Sequence, residues 1–283
     1  MLRIAIQAKG RLHDDTVELL KEIGIKLPSS KRTLVAKARN FDVEVLFLRD
    51  DDIPQTVADG VADLGIVGLN EVEEKGFEVH RIMPLGFGGC RLSLALPAAT
   101  DYPGPRWFNG RTIATSYPGI LKGWMQAKGI EAKVHVISGS VEISPGIGLA
   151  DAIFDIVSSG STLVSNNLRE VEVAMESEAW LISSGMLSKE KLALLDELLF
   201  RIRAVKSAEG KKYVLMNAPR HRVDDICAAL PGIKSPTIMP LADEGWCSIH
   251  TVLEERRFWE IIGQLKACGA QGILVLPIEK MII

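Results

Sequence analysis

From Asp151 to Leu163 the chain reads Asp-Ala-Ile-Phe-Asp-Ile-Val-Ser-Ser-Gly-Ser-Thr-Leu, an apolar strand with two carboxylates that runs into a hydroxyl-rich turn where a helix begins. N–H groups at a helix start lack intrahelical partners and carry partial positive charge. Gly160 lets an anion approach the backbone, and Ser158, Ser159, Ser161 and Thr162 add hydroxyl donors, so the turn is suited to cradling a phosphate. Asp151 and Asp155 suit ribose hydroxyls or a magnesium ion, because carboxylates accept hydrogen bonds and are hard oxygen ligands. The same spacing also describes an ordinary helix cap with acidic residues at a strand edge.

A second cluster, Lys9-Gly10-Arg11, follows the first strand. Loops after the carboxyl ends of parallel strands line the ligand crevice of open α/β sheets, so two cations and a glycine there read as an anion site or as a solvated basic turn. Arg32 and Arg49 also border strands, and Arg49 is followed by Asp50, Asp51 and Asp52, which signal a helix start whatever the arginine does. Asp63-Leu-Gly-Ile-Val-Gly68 is a buried strand whose glycines allow close approach. Gly139-Ser-Val-Glu142 is a turn whose carboxylate can face the same crevice, and Gly88-Gly-Cys-Arg91 has the character of a hinge. No GxxxxGK[ST] or Rossmann glycine pattern occurs, the five histidines never form HExxH, and no serine sits in GxSxG. P-loop phosphoryl transfer, zinc hydrolysis and esterase chemistry therefore lack support.

These residues need a scaffold, and 283 residues with 47% hydrophobic side chains supply one of two or three domains. Lys plus Arg at 33 against Asp plus Glu at 36 leaves a net charge of −3, so no global basic field favours nucleic acid. No apolar run approaches the roughly 20 residues needed to span a bilayer, and Met1 to Gly10 lacks a signal-peptide core, which points to a cytoplasmic protein. The four cysteines never form CxxC and read as reduced core residues.

Short apolar runs at Leu2 to Gln7, Leu34 to Ala38, Val43 to Leu48 and Leu64 to Val67, separated by helical segments, predict a mostly parallel sheet covered on both faces. A second series begins at Arg91 to Leu96, beyond a boundary near Gly88 and Gly89. Ser188 to Val205 reads as one amphipathic connecting helix. After Gly210 the order becomes βαββαβ, the ferredoxin-like arrangement.

At these residues the sequence resembles the long form of the ATP phosphoribosyltransferase family, the first enzyme of histidine biosynthesis. The likeness spans the chain: Lys9-Gly10-Arg11, Arg49-Asp-Asp-Asp-Ile53, Asp63 to Gly68, Gly88 to Leu94, Ala114-Thr-Ser-Tyr-Pro118, Gly139 to Glu142, Asp151 to Leu163, Leu168 to Val173 and Ile273 to Lys280. It implies condensation of ATP with phosphoribosyl pyrophosphate, in which N1 of adenine attacks C1 of the ribose, pyrophosphate leaves, and magnesium rides on the donor. The triphosphate is then only a handle, which accounts for the missing P-loop.

Residue by residue, the resemblance implies that Ser158, Ser159, Gly160, Ser161 and Thr162 hold the ribose 5-phosphate. Asp151 and Asp155 would lie beside the ribose and Glu142 across from them. Arg11 and Arg32 would face the leaving pyrophosphate as the catalytic pair, and Lys9, Arg49 and Arg91 would touch phosphates of either substrate. Relatives differ by one residue between Arg32 and Arg49, and many have threonine where Ser159 stands. The implied fold is two α/β lobes like a type II periplasmic binding protein, residues 1–90 with 180–208 and residues 91–179, followed by an ACT-like regulatory domain at 209–283. That domain would bind histidine as feedback inhibitor through Asn217, Thr237 and Gly272, in an enzyme that moves between dimers and hexamers and needs no separate regulatory subunit. The same two-lobed architecture also serves non-catalytic solute-binding proteins, which is the rival reading.

Overall fold

Residues 1–28, 34–230 and 236–282 are described by a computed structural model, and the chain divides into units Met1–Leu195 and Asp196–Ile283. Arg32 lies outside the described residues. The first unit opens with β1 (Leu2–Gln7), α1 (Arg11–Glu22), β2 (Val35–Lys37), β3 (Val43–Leu48), α2 (Ile53–Ala58), β4 (Leu64–Gly68), α3 (Leu69–Lys75) and β5 (His80–Pro84). It continues through β6 (Cys90–Pro97), β7 (Thr112–Thr115), α4 (Pro118–Lys128), β8 (Lys133–Val136), β9 (Ala152–Val157), α5 (Ser161–Ser165), β10 (Leu168–Ser177), β11 (Ala179–Ser183) and the start of α6 (Lys189–Ala208).

These strands form two sheets, one of order β2-β3-β1-β4-β11-β5 and one of order β10-β6-β9-β7-β8, each the centre of a lobe. Leu2, Ile4, Ala5 and Ile6 of β1 are buried because the strand lies between two parallel neighbours, β3 and β4. The expectation of a mostly parallel sheet is corrected here: both sheets are mixed. β11 runs antiparallel to β4 and β5, β2 to β3, and β6 to β9 and β10. β2 and β3 are consecutive strands and fold back on each other; for the others the cause is topological, because the chain leaves the first sheet after β5 and re-enters it at β11, passing between lobes through residues 85–89 and again through Glu178, and β6, β10 and β11, which flank these crossings, run against their neighbours.

Gly65, in the middle of β4, is a packing glycine. A Cβ there would stand 2.8 Å from Ile53 Cγ2 and 2.9 Å from Val57 Cγ2, against a core that includes Ala5, Val67 and Ile182. Gly65→Ala is therefore expected to lower stability by about 1–3 kcal/mol through overpacking, read from the urea midpoint at unchanged m-value.

The second unit holds β12 (Lys211–Pro219), α7 (Val223–Ala229), β13 (Thr237–Pro240), β14 (Trp246–Glu254), α8 (Glu255–Ala267) and β15 (Gln271–Pro277), in an antiparallel sheet of order β13-β14-β12-β15. This is the expected ferredoxin-like βαββαβ unit. Val214, Met216, Cys247 and Ile249 pack beneath Ile226, Phe258 and Leu265 of the helices. Asn217 is paired with Ser248, and Thr237 with His250 two residues farther along β14, so the period of two puts both on one face. A Cβ on Gly272 would stand 3.6 Å from Asn217 Nδ2, which brings Gly272 beside them. His250 on the same face contacts Tyr213 Oη through Nδ1 at 2.7 Å and Ser248 Oγ through Nε2 at 3.0 Å.

Candidate functional site

A cleft between the two lobes of the first unit opens at the carboxyl ends of β1, β4 and β9, the position in which α/β sheets bind ligands. It has two adjoining chambers. One, of about 290 Å³, is lined by Gln7, Arg11, Asp50, Gly68, Asn70 and Glu71, and the other, of about 530 Å³, by Leu69, Arg91, Glu176, Glu178 and Trp180. Gly89, Cys90 and Ser158 form the wall they share.

Arg11 is the first residue of α1, entered from Gly10 at φ +98°, a left-handed conformation that favours glycine. Its side chain is 75% exposed and its paired carboxylate, Asp15, stands 3.9 Å away, so the guanidinium is available to a ligand. Lys9 and Arg49 line neither chamber; Arg49 is an exposed residue paired with Asp51 at 3.3 Å. On the facing lobe, Ser158 to Thr162 join β9 to α5, with Gly160 at φ +79°. The hydroxyls of Ser159 and Ser161 lie 3.0 Å apart, and both residues are exposed.

Arg91 lines the larger chamber, but its guanidinium is partly occupied. Nε and Nη2 donate to the two oxygens of Glu170 at 2.5 and 2.6 Å, and Nη1 donates to the Ser158 carbonyl at 3.1 Å. Three of its five N–H donors are thus engaged by Glu170 and the loop backbone, which ties Arg91 to the loop, while one N–H on each Nη is left over in a side chain that lines the chamber. The same bonds keep the Glu170 carboxyl below the usual carboxylate range.

Asp155 precedes the loop by three residues. Burial raises its pKa to about 6, against the opposing Ile156 N–H at 2.8 Å, and the nearby charge of Glu142 pushes it further in the same direction. Glu142 sits in a tight turn, Val141–Ile143, entered through Ser140 at φ +50°, a strained conformation for a non-glycine residue. Asp151 is corrected. It lies before the other end of β9, roughly 20 Å from the loop at about 3.3 Å per strand residue, and its carboxylate accepts the Thr112 N–H at 2.8 Å. It is a strand cap and not a ribose ligand.

Sequence reasoning missed a buried polar group on the cleft wall. Tyr117 Oη and Asn70 Nδ2 both donate to Glu71 Oε1 at 2.9 Å, and Ser177 Oγ donates to Asn70 Oδ1 at 2.8 Å. Burial raises the Glu71 pKa, and burial together with the Glu71 carboxylate pushes Tyr117 above the ordinary phenol range. The available signal was position: Asn70 and Glu71 follow a parallel strand, as Lys9 and Arg11 do. Among the described residues no group of three or more His, Cys, Asp or Glu side chains is arranged to hold a metal ion.

A model of the ATP phosphoribosyltransferase family matches residues 49–204, more than half of the chain, and a model of its C-terminal domain matches residues 208–280. The chain belongs to the ATP phosphoribosyltransferase family. An ATP phosphoribosyltransferase of Bacteroides fragilis is 69% identical and one of Bacteroides thetaiotaomicron 67% identical, each over 283 residues that cover all of both chains. A chain of the ATP phosphoribosyl transferase (HisG:HisZ) complex from Thermotoga maritima superposes with a TM-score of 0.61 at 26% identity, covering 98% of that chain and 71% of this one. The C-terminal domain places this chain with the long-form enzymes of the family, and the first step of histidine biosynthesis is its place in metabolism. No described helix is long and apolar enough to cross a membrane.

Proposed function

We propose that this enzyme transfers the phosphoribosyl group of phosphoribosyl pyrophosphate to N1 of ATP, releasing pyrophosphate, and that histidine inhibits it through the C-terminal unit. The reading rests above all on one observation: Arg11 and the Ser158 to Thr162 loop stand on opposite lobes of one cleft, an arrangement that suits a donor with a phosphate at each end. The loop takes the 5-phosphate, and Asp155 with Glu142 accepts hydrogen bonds from the ribose hydroxyls. As the bond from C1 to pyrophosphate breaks and the bond to N1 forms, the ribose becomes cationic and the leaving group gains charge, which Arg11 stabilises. Arg32 is assigned the same task from the resemblance. A base is not required, because N1 carries no proton to lose. Positioning two polyanions is the main demand on the protein.

Magnesium belongs to this scheme as part of the bound diphosphate. Asn217, Thr237 and Gly272, gathered on one face of the C-terminal sheet, are the histidine contacts of this reading. The enzyme acts in the cytoplasm as a homo-oligomer, dimer or hexamer, without a separate regulatory subunit. Mixing the purified protein with ATP, magnesium, phosphoribosyl pyrophosphate and a pyrophosphatase tests both halves. The expected result is an ultraviolet absorbance increase from product that added histidine suppresses. An increase without suppression removes the histidine assignment, and a folded protein that binds ATP yet forms no product overturns the transferase reading.

A further inference from the structure

The short helix α3 belongs to the first lobe, yet its polar face is spent on the second. Asn70 N–H donates to Ser177 Oγ at 3.0 Å, Glu71 accepts from Tyr117, and Glu74 accepts the N–H groups of Gly119 and Ile120 at 2.8 and 2.9 Å. Asn70 also accepts Ser177 Oγ–H through its side-chain Oδ1 at 2.8 Å, and the side chains of residues 70, 71 and 74 share one side of the helix, so one face makes all three contacts. The Glu74 pair has the most defined geometry. α4 begins at Pro118, which has no N–H, so the Glu74 carboxylate takes the first two donors that the helix start offers. Gly119 is what allows it: a Cβ there would stand 3.1 Å from both carboxylate oxygens and from the Glu74 carbonyl.

We infer that Glu74 is a positioning residue, a clasp between the lobes that sets the width of the cleft and so the distance between Arg11 and the Ser158 to Thr162 loop. This rests on the proposed transferase reading, in which the donor's two ends are held by the two lobes. A ligand gripped at both ends gains from the second contact only when the spacing is right, whereas a ligand gripped at one end is indifferent to it. Glu74 touches neither chamber, so its effect has to pass through that spacing.

Calorimetric titration of the full chain with phosphoribosyl pyrophosphate and with ribose 5-phosphate, both in magnesium, separates these cases. Glu74→Ala is expected to weaken binding of phosphoribosyl pyrophosphate about tenfold while leaving ribose 5-phosphate, which reaches only the loop, within about twofold of the parent. Gly119→Ala, whose Cβ would crowd the Glu74 carboxylate and carbonyl at 3.1 Å, is expected to act in the same direction by a smaller factor. Glu74→Gln, isosteric and able to accept at one oxygen only, falls between and guards against a loss caused by misfolding. Equal weakening of both ligands, or of neither, overturns the clasp while leaving the transferase reading intact. A folded parent that binds neither ligand overturns that reading and the clasp with it.

Discussion

Arg11→Ala is expected to lower kcat by about 10² or more, the range seen when one preorganised electrostatic donor is removed. The expectation comes from what the guanidinium lacks as much as from where it stands. It lines the chamber nearest the first lobe, is 75% exposed, and has Asp15 at 3.9 Å as its paired carboxylate. A helix-surface pair of that length contributes a few tenths of a kcal/mol, about 0.3–0.5 at most, so folding stability should be unchanged within error. Loss of rate at constant stability would place the role in the reaction. The effect should fall on kcat more than on the KM for ATP, because charge on pyrophosphate builds only as the bond to C1 breaks. Steady-state rates beside a urea titration make the measurement, and a rate within about twofold of the parent would remove Arg11 from the leaving-group site.

How far the sequence reached can be judged from individual residues. The turn at Ser158 to Thr162 and the cations at Lys9 and Arg11 were legible because a strand followed by glycine and small polar residues has a local meaning, and both turns fall at strand ends as that meaning requires. The C-terminal βαββαβ order was legible for the same reason, each element carrying its own period. Direction was not local. Nothing within β11 (Ala179–Ser183) announces that it re-enters the first sheet between β4 and β5, and β10 (Leu168–Ser177), with two register shifts against β6, breaks the alternation that would have marked it as a strand. Asp151 and Asp155 look equivalent in sequence, four residues apart in one apolar run. Only the pairing of β9 with β7 shows that one caps a neighbouring strand and the other stands by the loop. Arg91 was legible as a cation near the cleft, but its partner Glu170 lies on a strand 79 residues away, and that partner decides what the arginine can still do.

Asp155→Asn is expected to cost activity and to raise stability. Burial lifts the folded-state pKa of Asp155 to about 6, above the ordinary carboxylate value of 3.8. Between these two values the native state holds a proton that the unfolded chain has released, so stability falls as pH rises from about 4 to 6 and is level above that window. At pH 7.5 the parent therefore carries the full cost of an ionised, partly buried carboxylate, and asparagine does not. The side-chain oxygen of asparagine can still accept the Ile156 N–H at its present 2.8 Å. The variant should be more stable than the parent by roughly 1–3 kcal/mol at pH 7.5, with the advantage vanishing below about pH 4. Function runs the other way. An ionised carboxylate accepts from ribose hydroxyls more strongly than an amide, and kcat/KM for the phosphoribosyl donor should fall by about 10². In the parent, kcat/KM should decline on the acid side with an apparent pKa of about 6, set by Asp155 in the free enzyme. Urea titrations at pH 4 and 7.5, with a pH profile of kcat/KM, test the whole scheme. A variant no more stable than the parent at pH 7.5 would mean that Asp155 is better solvated than its burial implies, and an acid limb well below pH 6 would mean the same.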